Sequence, residues 1–155
     1  MHFLSNEPIQ NSITRKLAED PNVKLDIILA DSELSTSIRY EIPQLIDYIT
    51  REDILPDLLK WALTREFEEI ENSDRLRRSA VLALSSTSKS LQEKLQDNSI
   101  FIDSLQKAQK QNIEKDLLLC GHFQRIIEAF IRYTNGGFLQ HFPNLTEFLI
   151  KNANV

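Results

Sequence analysis

Three stretches of the chain carry the same apolar pattern at nearly equal spacing. Each places an isoleucine or leucine first, a second branched residue five positions later, and an alanine three positions after that. The stretches begin 46 and then 45 residues apart. A period of this length is typical of stacked helical units, each of which buries its apolar face against the next unit. The three copies are Ile54, Leu59 and Ala62; Ile100, Leu105 and Ala108; and Leu145, Ile150 and Ala153.

The size of the period predicts an all-α fold, a right-handed α-solenoid of the armadillo or HEAT type. A chain of 155 residues accommodates about two and a half to three such repeats in a single domain over residues 1–155, with approximate boundaries at 23–71, 73–110 and 113–155. The third copy of the pattern ends at the end of the chain, without a polar capping helix. We therefore expect the N-terminal part of a longer array, with Phe148 and Ile150 exposed.

Local signals place the helices and their ends. Asp53 is predicted to cap a helix that carries Trp61, a residue that suits either the core or a binding surface. Ser73 with Asp74 is predicted to cap the next helix, after an acidic loop at 66–71. Four hydroxyl residues at 85–88 should interrupt that helix, because their side chains compete for backbone hydrogen bonds.

The longest helix is predicted over 113–134. It should end at Asn135-Gly136-Gly137, because glycine adopts the left-handed conformation without a steric penalty. Phe138 and Phe142 should bury the short helix that follows. Within the long helix, Gly121 predicts a close approach by another element, since glycine is unfavourable in a helix interior.

The polar face of this long helix is the first choice for a partner-binding surface. Arg125, Glu128 and Arg132 follow one another at spacings of three and four residues, so they share a face. Arg77 and Arg78 come next, because positive charge in the first turn of a helix opposes the helix dipole and can be retained for an acidic partner. Ion pairs of these arginines with nearby acidic residues are the alternative interpretation.

Composition excludes several classes of function. A formal net charge of −5 and an isoelectric point near 5.2 argue against a nucleic-acid-binding protein, which requires a sustained basic face. No apolar run is long enough to span a membrane, and the first residues lack the pattern of a signal peptide. The single cysteine fits a reducing compartment. We predict a cytoplasmic protein that can also be nuclear.

No catalytic, cofactor-binding or metal-binding residues are predicted. Cys120 and His122 are two positions apart on a helix, so their side chains point in nearly opposite directions and cannot act as a nucleophile and base. The three histidines have no cysteine or carboxylate at metal-ligand spacing. Gly136 and Gly137 follow a helix instead of opening one, which is the wrong context for binding a phosphate. The chain is therefore predicted not to be an enzyme.

One stretch of the long helix resembles a known family. The sequence LLLCGHFQRI at 117–126 is similar to the pattern Leu-Leu-Ala-Gly-aromatic-Phe-Ser-Lys-Val of the SAPS domain family, the regulatory subunits of protein phosphatase six. Leu118, Leu119, Gly121 and Phe123 match the pattern as they stand, and Arg125 keeps its basic character. The stretches at 44–62 and 90–108 resemble preceding units of the same family, in the same order and at the same spacing.

The resemblance implies an armadillo-like scaffold that binds a phosphatase catalytic subunit and directs it to substrates. Departures from the family pattern are Asp116-Leu117 in place of Asn-Pro, His122 in place of an aromatic residue, and Leu82 in place of a glutamate. A helical-repeat adaptor that binds some other protein, with no link to dephosphorylation, is the alternative.

Overall fold

The computed structural model describes residues 11–145, and within that range the chain is helical with no β-strand. Nine α-helices follow one another within residues 11–145, with 3-10 helices at Ile113–Lys115 and Gly137–His141. The prediction of an all-α fold is confirmed. The helices are α1 (Ser12–Glu19), α2 (Leu25–Leu29), α3 (Leu34–Arg39), α4 (Pro43–Ile49), α5 (Leu55–Leu63), α6 (Ser73–Leu84), α7 (Lys89–Leu95), α8 (Ser99–Lys110) and α9 (Leu117–Tyr133).

Side-chain caps fix where several of these helices begin. Asn11 forms a capping box with Thr14, in which each side chain accepts a hydrogen bond from the other residue's backbone N–H at 2.9 Å. Ser88 caps α7 and Asn98 caps α8 in the simpler way, by accepting from a backbone N–H in the first turn. The hydroxyl run at 85–88 thus ends α6 and starts α7, as predicted.

Two other predicted caps are wrong. Asp53 does not cap α5, because its carboxylate pairs with the guanidinium of Arg51, and Ile54 stands at the cap position without a side-chain hydrogen bond. Asn72, in the left-handed conformation, precedes α6. Ser73 is instead the first residue of α6, and its hydroxyl donates to the carbonyl of Glu68 at 2.8 Å.

The long helix is shorter than predicted at its start and ends where predicted. Asp116 has extended backbone, which separates the 3-10 helix before it from α9, and its carboxylate caps α9 by accepting from the N–H of Leu119 at 3.2 Å. At the other end Asn135 and Gly136 are left-handed, and the Gly136 N–H donates to the Ile131 carbonyl at 2.8 Å. With the bond from Asn135 to Arg132, this is a Schellman motif.

The core is centred on α5, which packs against α6, α8 and α9. Trp61 is 3% exposed and contacts the ring of Phe67 at 5.0 Å between centroids, so it belongs to the core. The same core contains a group of aromatic side chains, in which the ring centroids of Phe101, Phe130 and Phe138 lie 4.7 to 6.1 Å apart. Phe138 and Phe142 bury the last 3-10 helix, as expected.

The helices repeat with the spacing of the apolar pattern. Short α4 corresponds to α7, α5 to α8, and α6 to α9, and each helix of the second group begins 44 to 46 residues after its counterpart. The first two copies of the pattern lie on α5 and α8, and these two helices pack directly against each other. Of the third copy only Leu145, which is buried, lies within the described residues; Phe148 and Ile150 lie outside them.

Ion pairs and hydrogen bonds between distant residues hold neighbouring helices together. Lys16 pairs with Asp31 at 2.6 Å, and Arg65 pairs with Asp116 at 2.9 Å. The hydroxyl of Tyr48 donates to the backbone carbonyl of Val23, which precedes α2. Burial raises the pKa of Tyr48 to about 12. Among the described residues, no helix is both long enough and apolar enough to cross a membrane.

Candidate protein-binding groove

The polar face of α9 predicted to bind a partner lies on the surface. Arg125, Glu128 and Arg132 are all exposed, while Phe123, Ile126 and Phe130 of the same helix are fully buried. The alternation follows from helical geometry, since residues three and four apart share a face. The apolar side of α9 anchors it against α5, and the charged side is left to line a groove.

Two adjoining hollows form this groove. The larger has a volume of about 530 Å³ and lies between the end of α3, the loop at 85–88 and α9. The smaller has a volume of about 360 Å³ and continues along α9. Ser85, Thr87 and Arg125 line both hollows. We call the whole surface the basic groove. Its charged residues are Arg39, Glu41, Lys89, Arg125, Glu128 and Arg132, and its hydroxyl residues are Ser35, Ser85, Ser86, Thr87, Ser88 and Tyr133.

The loop that forms one wall is held by its own hydroxyl groups. Ser85 donates to the carbonyl of Val81 at 2.6 Å, which ends α6, and Ser88 caps α7. Ser86 accepts from the N–H of Ser88 at 3.4 Å. Thr87 is exposed, and its side chain makes no hydrogen bond with the rest of residues 11–145. The loop therefore presents its middle residues to the groove.

Glu41 is fixed in the wall by the start of α7. Its carboxylate accepts from the hydroxyl of Ser88 at 3.0 Å and from the backbone N–H of Ser90 at 2.9 Å. These hydrogen bonds favour the charged form and hold the pKa of Glu41 below its ordinary value. Glu41 itself has φ of 53°, in the left-handed region, at the turn between α3 and α4. Its negative charge is thus already compensated by donors of the protein.

The cations of the groove have no such compensation. The side chains of Arg39, Lys89, Arg125 and Arg132 make no hydrogen bond and no ion pair with any residue in the described part of the chain. Arg65, which lies outside the groove, is by contrast paired with both Asp116 and Glu68. Four cations and two carboxylates line the groove, so it is locally positive on a chain whose net charge is −5.

Arg77 does not belong to a binding surface, which corrects the sequence prediction. Its side chain is only 2% exposed, because α6 turns this residue toward the interior. The Nη1 atom lies 3.4 Å from the carboxylate of Asp74, and Nε and Nη2 have no hydrogen-bond partner within the described residues. Arg78 is exposed as predicted but does not line the basic groove.

His122 lies half-buried on α9, with its ring near the backbone of Ala62. Its Nδ1 atom is buried and has no partner in the described residues. Burial lowers the pKa of His122, and the nearby guanidinium groups of Arg77 and Arg125 lower it further. The ring is therefore neutral at physiological pH.

Neither a reactive thiol nor a metal site is apparent in residues 11–145. Cys120 is buried, and burial raises the pKa of its thiol, which disfavours the nucleophilic thiolate. No group of three or more histidine, cysteine, aspartate or glutamate side chains in this range could hold a metal ion.

Gly121 does not mark a close approach. A Cβ atom added there would meet nothing within 4 Å, and the residue is exposed. The prediction is wrong because the neighbouring elements pack against the opposite side of α9. Beside it, Leu117 and Leu118 are 67% and 44% exposed, so the start of α9 presents apolar side chains to solvent.

Sequence reasoning missed Arg39, Lys89 and the loop hydroxyls as parts of the groove. These residues come from α3, from the loop at 85–88 and from the start of α7, and only packing brings them beside Arg125. No local motif links them. The hydroxyl run at 85–88 was a signal, but it indicated only a helix break.

Comparison of the chain with family models, with curated proteins and with solved structures finds no match.

Proposed function

We propose that this chain is a non-catalytic scaffold that binds an acidic segment of a partner protein in the basic groove. The observation that carries the proposal is the set of unpaired cations around Arg125. Four basic side chains share one groove without a carboxylate partner in the described residues, on a chain that is acidic as a whole. Complementary charge steers association and selects the partner.

The arrangement of the helices supports a stacked repeat as the scaffold. The proposed fold is a right-handed armadillo- or HEAT-like solenoid, in which α4–α6 and α7–α9 are successive units. Equivalent helices of neighbouring units pack side by side in such a stack, and the contacts of α5 with α8 and of α6 with α9 are of this kind. The boundaries predicted from the sequence, 23–71, 73–110 and 113–155, begin the second unit at α6, whereas the proposed units α4–α6 and α7–α9 begin it at α7.

The proposed partner is a phosphatase catalytic subunit of the protein phosphatase six type. What supports it is the resemblance of residues 117–126 and of two upstream stretches to the SAPS domain family. In this role the chain would hold the catalytic subunit and direct it to substrates. The alternative is an adaptor for another acidic protein, which needs the same groove and no phosphatase.

Co-purification from cell lysate tests both the basic groove as the binding surface and the phosphatase as the partner. The double variant Arg125→Glu with Arg132→Glu reverses the charge of the groove, and Arg78→Glu is the control because Arg78 is exposed and outside it. We expect the native chain and the control to retain a metal-dependent serine/threonine phosphatase, identified by mass spectrometry, and the double variant to lose it.

The other outcomes separate the two candidates. A different protein that is retained by the native chain and the control and lost by the double variant supports the adaptor and removes the phosphatase. Equal retention by all three chains refutes the groove as the binding surface. Phosphatase activity in the purified chain alone would refute a non-catalytic scaffold.

A further inference from the structure

The larger hollow of the basic groove is better suited to a phosphate group than to a carboxylate. Arg39, Lys89 and Arg125 all line it, so three basic residues, two of them arginines, border one space of about 530 Å³. A guanidinium group binds two oxygens at once. A carboxylate offers two oxygens and one charge, whereas a phosphorylated side chain offers three oxygens and a charge of about −1.5 to −2 at neutral pH. A phosphate therefore binds two guanidinium groups more strongly than a carboxylate does, because it offers one more oxygen and more negative charge.

The positions of the two carboxylates in the groove also favour the larger hollow as the phosphate site. Glu128 lines the smaller hollow beside Arg132, and its carboxylate has no hydrogen-bond or ion-pair partner within the described range, so it repels an anion there. Among the described residues, the only carboxylate in the larger hollow is that of Glu41, which accepts hydrogen bonds from the Ser88 hydroxyl and the Ser90 N–H. The larger hollow is therefore the more positive of the two.

Hydroxyl groups complete the donor set. Ser85 donates its hydroxyl hydrogen to the Val81 carbonyl, and Ser88 donates its own to the Glu41 carboxylate. Ser86 and Thr87 donate to no acceptor in residues 11–145, and both line the larger hollow. The hydroxyl of Ser35, which also lines the larger hollow, is likewise without an acceptor in residues 11–145. Three hydroxyl donors are thus free beside the unpaired cations, and phosphate oxygens accept hydrogen bonds strongly.

We propose that the larger hollow recognises a phosphorylated serine or threonine side chain of the partner segment bound along the basic groove. Arg39 and Arg125 bind the phosphate, assisted by Lys89 and by the hydroxyls of Ser86 and Thr87. Arg132, in the smaller hollow, contacts the acidic residues that flank it. The inference rests on the proposed function, because it specifies the chemistry of the segment that the scaffold binds.

Three synthetic peptides test the proposal directly. They share one sequence of alanine and glycine with two flanking glutamates, and they differ only at the centre, which is phosphoserine, glutamate or serine. Binding is measured by fluorescence anisotropy at low and at physiological salt, since exposed charge pairs weaken as salt rises. For the native chain we expect the phosphoserine peptide to bind about tenfold or more tightly than the glutamate peptide.

Single variants assign the roles of the arginines. Arg39→Gln should remove the preference for phosphoserine over glutamate while leaving the affinity for the glutamate peptide nearly unchanged. Arg132→Gln should weaken both peptides by the same factor and keep the preference. Arg78→Gln is the matched control and should change neither. Circular dichroism and thermal melting of each variant confirm that the fold is intact.

The possible failures are distinguishable. If the phosphoserine and glutamate peptides bind equally and Arg125→Gln weakens both, the phosphate inference is overturned and the proposed function stands. If none of the three peptides binds, or if Arg125→Gln and Arg78→Gln behave alike, both are overturned. If an oligothymidylate competes with the phosphoserine peptide at equal concentration, the groove recognises phosphate without regard to protein sequence, and the inference of a protein segment is overturned.

Discussion

Replacement of Arg77 by methionine should stabilise the protein. The guanidinium group is almost fully buried, and two of its three nitrogens have no hydrogen-bond partner in the described residues. A buried cation is costly unless it is paired and fully hydrogen-bonded. Methionine is unbranched and uncharged and matches the arginine stem in length, so Arg77→Met keeps the contacts of the stem and removes the charge.

The size of the effect follows from the groups at this position. Each buried N–H without a partner costs about 1–3 kcal/mol. The only ion pair that is lost is with Asp74, whose side chain is 80% exposed, and an exposed partner of this kind contributes about 0–1 kcal/mol. With imperfect packing of the new side chain, we expect Arg77→Met to raise the free energy of unfolding by about 1–3 kcal/mol. The corresponding rise in melting temperature is about 3–10 °C for a chain of this size.

Urea unfolding followed by circular dichroism measures the change. Arg77→Ala is the companion variant, because it removes the charge and the stem together and leaves a cavity; it should be about 2–4 kcal/mol less stable than Arg77→Met. Asp74→Asn is the control for the ion pair and should change stability by less than about 1 kcal/mol. The slope of the unfolding free energy against urea concentration should be the same in all three variants as in the native chain. A difference in the unfolding midpoint then measures a difference in stability.

A destabilised Arg77→Met would refute the reasoning. Suppose that the free energy of unfolding of this variant fell by more than about 1 kcal/mol, with an unchanged slope against urea. The interactions of the guanidinium group would then stabilise the fold by more than its burial destabilises it. Equal losses in Arg77→Met and Arg77→Ala would lead to the same conclusion, because the shared change is the loss of charge.

Three further predictions concern α9. Gly121→Ala should stabilise the protein by about 0.5–1 kcal/mol in thermal melting, because a Cβ atom there meets nothing and alanine favours the helix. Asp116→Ala should lower the free energy of urea unfolding by about 1–2 kcal/mol through loss of the cap to Leu119, with a smaller loss from the ion pair to Arg65. His122, whose pKa is lowered by burial, should make the native chain less stable as pH falls below about 6.5, since the folded state resists protonation. Unfolding of His122→Gln should depend less on pH between about 7.5 and 5.5.

Each of these predictions has an outcome that would contradict it. A loss of stability in Gly121→Ala would mean that another group does approach the helix there. If Arg65→Gln cost as much as Asp116→Ala, the ion pair and not the cap would be the main contribution. If the unfolding free energies of the native chain and His122→Gln changed in parallel with pH, protonation of His122 would not be coupled to folding.

Local features of the sequence predicted the helices well. The Asn135-Gly136-Gly137 signal placed the end of α9, because a Schellman motif needs only a few consecutive residues and a left-handed position. The hydroxyl run at 85–88 placed the break between α6 and α7 for a similar reason. The predictions at Asp53 and Asp116 were wrong because each carboxylate can either cap a helix or pair with an arginine. Asp53 pairs with Arg51 instead of capping a helix, whereas Asp116 caps α9 and shortens it.

By itself, therefore, the sequence determined that the chain is helical, where most helices end, and which face of α9 is polar, because those properties depend on interactions within a few turns. Only the tertiary structure decided that Arg77 is buried and that Arg125 is joined by Arg39 and Lys89 in one groove. The residues at positions 39, 89 and 125 are far apart in the chain, and each is an ordinary surface cation in its own segment. Their proximity results from how α3, α6, α7 and α9 pack, and only that packing turns separate charges into a binding surface.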